Sequence, residues 1–119
     1  MAQAVKRKLS GSTDGKAIKI AQVSTAGDTI HTAVAGQTAG TYDEIWLWAY
    51  NGHTADVILT VEFGGASVPD QNIVVTIPAK SGLIPVVPGL LLQNAMVVKA
   101  FAGTPNVITI VGFVNAITD

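Results

Sequence analysis

Short runs of β-branched and aromatic residues, separated by glycine, asparagine, aspartate and proline, recur along almost the whole chain. No stretch of comparable length sustains helical periodicity, so the spacing is typical of an all-β sandwich or barrel. We count about eight predicted strands. They cover residues 16–23, 29–34, 42–50, 56–63, 72–77, 83–92, 96–102 and 107–117.

The size of the chain limits it to one domain. Its 119 residues, 49% of them hydrophobic, fit a single ordered unit with a sizeable core. Only 13% of the residues are charged, which is low for a surface that meets only water. We therefore predict a single-domain antiparallel β-sandwich that contacts other proteins, and a jelly-roll-like arrangement is one form that such a sandwich can take. An immunoglobulin-like sandwich with one extra strand is the alternative, because connectivity is not visible in the pattern.

The N-terminal segment is basic. Residues 1–19 carry five of the seven Lys and Arg residues and only one acid, a net charge of +4, whereas residues 20–119 sum to −5. This asymmetry predicts an extended, flexible arm over residues 1–15 and a sandwich domain over residues 16–119. Lys6, Arg7 and Lys8 could bind an acidic partner, and a frayed, solvated terminus is the alternative. Nucleic acid is disfavoured as the partner, because residues 1–19 contain no aromatic residue for base stacking.

A turn signal lies between the third and fourth predicted strands. Asn51 and Gly52 tolerate the positive φ angles that tight reversals require. The signal predicts a hairpin in which residues 42–50 and 56–63 are antiparallel neighbours.

The strand over residues 42–50 is apolar on both faces. One face carries Ile45, Leu47 and Ala49, and the other carries Trp46, Trp48 and Tyr50. Such a strand must be covered on both sides, either by a loop of the same chain or by a partner subunit. Tryptophan and tyrosine are frequent interface anchors, so we favour the partner. Asp43 and Glu44 project to opposite faces at the start of the strand and are expected at the surface.

Residues 83–92 predict an apolar sheet edge, because two prolines interrupt the run and cannot donate hydrogen bonds to a neighbouring strand. The final run, residues 107–117, is apolar on both faces and predicts a central strand. Together these patterns predict an interface between copies of the chain. Its candidate residues are Trp46, Trp48, Tyr50, Leu83, Ile84, Val86, Val87 and Leu90.

The chain offers little material for catalysis. It contains two histidines and no cysteine, which excludes disulfides and thiolate chemistry. His31 follows Asp28 by three residues, but no nucleophile elbow, phosphate-binding loop or zinc motif accompanies them. We therefore predict a protein that is not an enzyme and holds neither a metal nor another cofactor. Proline and asparagine interrupt the two long uncharged stretches, residues 81–98 and 100–118, so no membrane segment is expected either.

The aromatic side of residues 42–50 has a second interpretation. Three aromatic side chains at alternate positions of a strand can form a platform on which sugar rings stack. A lectin-like, glycan-binding domain is therefore the alternative function.

Several segments resemble a known group of viral proteins. They are residues 44–51, 57–65, 69–70, 77–79 and 86–89, and the closing Gly112-Phe113-Val114-Asn115. In this succession the chain, over roughly residues 40–117, is similar to the head decoration, or cement, proteins of tailed bacteriophages.

The resemblance implies a compact sandwich or jelly roll, often trimeric, that binds the outside of an assembled head and locks neighbouring capsomers together. It implies that the partners are the major capsid protein and further copies of the chain. The implied location is the exterior of the virion, after synthesis in the host cytoplasm. The family contains no catalytic residues to transfer, and the basic arm would complement an acidic capsid surface.

Overall fold

The computed structural model describes residues 2–119 as two antiparallel β-sheets packed face to face, with no helix in that range. The all-β sandwich predicted from the sequence is confirmed. The nine strands are β1 (Gln3–Lys8), β2 (Ile18–Lys19), β3 (Asp28–Thr32), β4 (Tyr42–Asn51), β5 (Val57–Phe63), β6 (Asn72–Ile77), β7 (Ile84–Leu92), β8 (Val97–Ala102) and β9 (Ile108–Thr118).

The strands divide into two sheets. Sheet A has the order β1-β9-β4-β7, with β2 also paired to β9, and sheet B has the order β3-β8-β5-β6. All pairings are antiparallel. The predicted central position of residues 107–117 is confirmed, since β9 lies between β4 and the two N-terminal strands.

The core lies between the sheets and follows the alternation of each strand. In β4, every second residue from Ile45 to Ala49 is fully buried, while the residues between them stay partly exposed. Opposite them, β5 contributes Leu59 and Val61, which are also fully buried. The largest buried side chains are Leu9, Ile20, Ile30, Ile45, Leu47, Leu59, Ile77, Ile108 and Ile110.

The predicted hairpin between residues 42–50 and 56–63 is wrong. β4 pairs with β7 and β9 in sheet A, whereas β5 pairs with β6 and β8 in sheet B. The loop between them therefore crosses from one sheet to the other. Asn51 organises the crossing, because its buried amide donates to the carbonyl oxygens of Ala55 and Ile77 and accepts from the His53 amide.

Residues 3–9 are part of the sandwich, which differs from the predicted arm over residues 1–15, of which Met1 lies outside the described residues. Gln3–Lys8 form β1, whose six residues pair in continuous register with Phe113–Thr118 of β9. Leu9 is 1% exposed and belongs to the core. In the sequence, the three consecutive cations indicate a flexible arm. They are equally compatible with an edge strand, because charged residues are common on an exposed sheet edge.

The proline-containing strand β7 is an edge of sheet A, in agreement with the sequence. Its pairing with β4 shifts register twice, beside Pro88 and beside Pro85. These irregularities turn two adjacent residues, Val86 and Val87, into the core, where they are 5% and 1% exposed. Their assignment to a surface interface is therefore wrong.

Candidate functional site

The outward side of sheet A carries a cluster of aromatic side chains. Tyr42, Trp46, Trp48 and Tyr50 of β4 share this side with Val111 and Phe113 of β9, which face Trp48 and Trp46 across the sheet. We call these six residues the aromatic face. All six side chains are partly exposed, whereas the core-facing residues that alternate with them in β4 are buried.

Three rings of the aromatic face lie side by side. The ring centroids of Trp46, Trp48 and Phe113 are 6.3, 6.2 and 6.0 Å apart, and the ring planes differ by 16° to 29°. If the three rings were stacked in one column, the distance between the first and third centroids would be about twice the distance between neighbouring centroids. The nearly equal distances instead describe a triangle of roughly parallel rings.

The backbone of Gly89 shows how this triangle is oriented. A Cβ atom at Gly89 would lie 2.7, 2.9 and 3.1 Å from Cζ2, Cε2 and Cη2 of Trp46. A point almost equally far from three adjacent ring atoms lies above the ring face rather than beyond its edge. The indole therefore rests flat on the main chain of β7, and only glycine, here with φ of 79°, leaves room for it.

The carboxylate of Glu44 links Trp46 and Asn115 on this surface through hydrogen bonds. Glu44 Oε1 accepts hydrogen bonds from Asn115 Nδ2 at 2.9 Å and from Trp46 Nε1 at 2.8 Å. The bond from Asn115, and then that from Trp46, lowers the pKa of Glu44 below its ordinary value of 4.5, against a small opposing effect of desolvation. The ionised carboxylate therefore fixes the Trp46 indole in its orientation.

We expect the stability of the protein to depend on the charge of Glu44. Because its pKa is lowered on folding, the stabilisation is complete above pH 4.5 and is lost as the pH falls through the folded-state pKa. Glu44→Gln should melt at a lower temperature than the wild type at pH 7, and the difference should narrow as the pH falls below 4.5. Thermal melts across this range test it, with Asp70→Asn as the control. A difference that is constant with pH would contradict the assignment.

Basic side chains border the aromatic face. Lys6 Nζ lies 4.6 Å from the centroid of the Phe113 ring, a cation–π contact, and Lys8 pairs in register with Phe113. Arg7 lies between them in β1 and therefore projects to the opposite side of the sheet. Of the three predicted binding cations, the structure thus brings Lys6 into contact with the aromatic face, whereas Lys8 Nζ donates to the Ser12 carbonyl oxygen at 3.1 Å.

Apart from the buried Val86 and Val87, the predicted interface residues separate into three groups. Trp46, Trp48 and Tyr50 lie on the aromatic face, Leu83 and Leu90 are 56% and 40% exposed near or on the β7 edge, and Ile84 packs partly against the core. Phe113 was not among the predicted interface residues. The signal was present, since β9 is apolar on both faces, but the cross-strand register that places Phe113 beside Trp46 is not visible in sequence.

His31 has a different partner from the one nearest in sequence. Its Nε2 lies 2.7 Å from Asp43 Oδ2, and both residues are buried, so Asp43 is not the surface residue expected. The Ser10 amide donates to Nδ1 at 3.0 Å, which assigns the imidazole hydrogen to Nε2. The Ser10 hydroxyl accepts from the Thr32 amide instead of facing the imidazole. Ser10, His31 and Asp43 thus connect the end of β1 to β3 and β4. They do not form a nucleophilic triad.

Asp28 caps a neighbouring segment, because its Oδ2 accepts from the amides of Ala21 and Gln22 at 2.6 and 3.0 Å. Within residues 2–119, no group of three or more histidine and acidic side chains is placed to hold a metal ion. Over the same residues, no helix has the length and hydrophobicity needed to cross a bilayer.

Comparison with known proteins adds no assignment. No protein-family model, no curated protein and no solved structure matches the chain.

Proposed function

We propose that this protein is a structural virion protein, which binds the outer surface of a phage head as a homotrimer and stabilises the capsid lattice. The observation that carries the proposal is the aromatic face: two tryptophans and a phenylalanine on the outward side of sheet A, partly exposed and held in a fixed arrangement. Tryptophan and tyrosine are the residues most often found as binding hot spots. The proposed partners are the major capsid protein and further copies of this chain.

The size of the aromatic side of sheet A suits a protein contact. Sheet A is four strands wide along its main path, and β4 is ten residues long. Strand spacings of about 4.8 Å and a rise of about 3.4 Å per residue give a flat area of roughly 600 Å². A standard interface buries about 800 Å² per partner, so this one side could supply most of a stable contact.

The strand order supports the jelly-roll assignment that the resemblance implies. Along the chain, the strands cross repeatedly between the two sheets, so most neighbouring strands within a sheet, β5 and β6 excepted, are distant in sequence. Two Greek keys wrapped into two four-stranded sheets have this character.

The charge distribution supports an acidic partner. Lys6 lies against the aromatic face, and Lys8 follows on the same side of the exposed strand β1. Cations at the border of an apolar contact favour an acidic surface and speed its encounter without adding much affinity. A capsid exterior with acidic groups around an apolar patch would complement this side of the molecule.

The proposed mechanism is binding alone. A ligand that binds the mature lattice more tightly than the dissociated or immature one shifts the equilibrium toward the mature lattice. Because of this difference in affinity, more heat or internal pressure is needed to disrupt the shell. Trimer formation multiplies the effect, because three linked contacts act with a high effective concentration.

One observation favours glycan binding as a second candidate function. The Trp46 ring rests flat on Gly89 with Trp48 roughly parallel to it, which is the arrangement a stacked sugar needs. Glu44 and Asn115 beside these rings are groups that bind hydroxyls. On this proposal the chain is a lectin-like tail or fibre module.

Two assays separate the candidates. Purified protein is mixed with empty expanded heads, washed and quantified, and the same protein is applied to a glycan array. Stoichiometric retention on heads without a glycan signal is the expected result, and the reverse pattern would support the lectin-like module. Light scattering coupled to size-exclusion chromatography tests the trimer, and a monomer at high micromolar concentration would contradict it.

A further inference from the structure

Apart from the two-residue β2, four strands form the edges of the two sheets, and three of these four are protected against pairing with another chain. β1 carries three consecutive cations, Lys6 to Lys8. β7 contains Pro85 and Pro88 and shifts register twice against β4. Residues 10–11 cover β3, through a bond from the Gly11 amide to the Ile30 carbonyl and one from the Thr32 amide to the Ser10 hydroxyl. Charge, proline, bulges and covering segments are the usual means of blocking an edge.

The fourth edge, β6, has none of these features. Its six residues, Asn72–Ile77, include no charged residue and no proline, and they pair with β5 without a register shift. Five of the six are β-branched, and Val74 is 62% exposed. β6 is therefore a straight, uncharged edge with high strand propensity.

The register shows which main-chain groups of β6 face away from the sheet. The Phe63 amide donates to the Gln71 carbonyl at 2.7 Å, just beyond the pairing of Glu62 with Asn72. Because hydrogen-bonded and non-hydrogen-bonded pairs alternate in an antiparallel ladder, the odd-numbered residues of β6 bond to β5. The amide and carbonyl groups of Val74 and Thr76 therefore point outward.

We propose that β6 pairs with β6 of a second copy of this chain, antiparallel and about a two-fold axis at Val74. In this register each Val74 amide donates to the Val74 carbonyl of the other copy. Each Thr76 amide donates to the opposing Asn72 carbonyl. The side chains also match, since Val74 meets Val74 and Thr76 meets Asn72 on the outer face of sheet B. The two four-stranded B sheets then form one continuous sheet.

The charges at the two ends of β6 favour this direction of pairing. Asp70 precedes the strand and Lys80 follows it, with no charged residue between them. Antiparallel pairing brings the acidic end of one copy to the basic end of the other. Parallel pairing would place like charges together, which is destabilising. The edge is thus complementary to itself.

This contact goes beyond the proposed function, because it needs neither a phage head nor the aromatic face. β6 belongs to sheet B, whereas the aromatic face is the outward side of sheet A, so both can be occupied together. On a head, the β6 contact would join neighbouring molecules sideways.

The experiment blocks the aromatic face, so that any association of copies through that surface does not obscure the β6 contact. Trp48→Lys places a charge in the aromatic face and serves as the background. Analytical ultracentrifugation of this variant should show a monomer–dimer equilibrium. Adding Val74→Pro removes an outward-pointing donor, which an edge strand tolerates, and should weaken the dimer at least about tenfold. Adding Ile58→Lys, an exposed position of β5 inside sheet B, should leave the dimer intact.

A spectroscopic readout keeps the test independent of any one variant. In the Trp48→Lys background, the Val74 and Thr76 amides should exchange with solvent more slowly as concentration rises, while Ile73 and Val75 are already protected by β5. A monomer at millimolar concentration would overturn the proposal. So would a dimer that survives Val74→Pro, or one whose Val74 and Thr76 amides exchange at the monomer's rate. None of these outcomes bears on retention by heads, so the two proposals fail separately.

Discussion

Gly112→Ala is expected to destabilise the protein by about 3 kcal/mol or more, although it adds a single methyl group. Gly112 pairs with Leu47 at the centre of the β4–β9 ladder. A Cβ atom there would lie 2.0 Å from the Trp46 carbonyl oxygen and 3.1 Å from the Leu47 Cα atom. Both are main-chain atoms, so the clash can be relieved only by separating the two central strands of sheet A.

The measurement is thermal unfolding, in which a loss of this size lowers the melting temperature by about 10 °C or more. Gly103→Ala is the matched control, because the nearest atom to its Cβ, the Ile58 carbonyl oxygen, would be 3.9 Å away. This control should melt within about 2 °C of the wild type. Equal melting temperatures for the two variants would show that the main chain of β4 does not lie as close to Gly112 of β9 as the structure places it.

Trp48→Lys is expected to have the largest effect on binding. The indole of Trp48 completes the ring triangle with Trp46 and Phe113, and its partly exposed position leaves the fold tolerant of substitution. Truncating a central hot spot commonly costs 2 kcal/mol or more, which is about a 30-fold loss of affinity. A buried ammonium group in the contact adds a desolvation penalty to this loss.

Retention on expanded heads, measured over a range of protein concentrations, gives the affinity of each variant. Ile58→Lys is the control. Ile58 is 54% exposed on the outer side of sheet B, so this substitution introduces the same charge away from the aromatic face. Unchanged melting temperatures would establish that both variants are folded. Binding of Trp48→Lys at the wild-type level would exclude the aromatic face as the contact surface.

The sequence predicted the features of this fold that depend on local alternation. The two apolar sets of residues 42–50 correspond to the core side and the aromatic face of β4. The prolines at positions 85 and 88 correctly indicated an edge strand. These features are readable because side chains of a strand alternate with a period of two and because proline cannot donate to a ladder.

The features that sequence reasoning missed depend on contacts between distant segments. The turn signal at Asn51 and Gly52 indicates a reversal but does not say whether the next strand joins the same sheet, and here it joins the other one. The burial of Asp43 depends on His31, twelve residues away in sequence. Glycine is required at positions 89 and 112 because a Cβ atom at either position would clash with Trp46. Trp46 lies next to both positions only because of the register of β4 with its neighbouring strands.

The central claim is that the aromatic face is the surface that meets the phage head, and tryptophan fluorescence tests it directly. The chain contains two tryptophans, and both lie on the aromatic face, so its indole emission reports on this surface alone. Binding to expanded heads should shift the emission to shorter wavelength and reduce quenching by acrylamide. Protein that is retained on heads with unchanged emission and quenching, or that is not retained at all, would contradict the account.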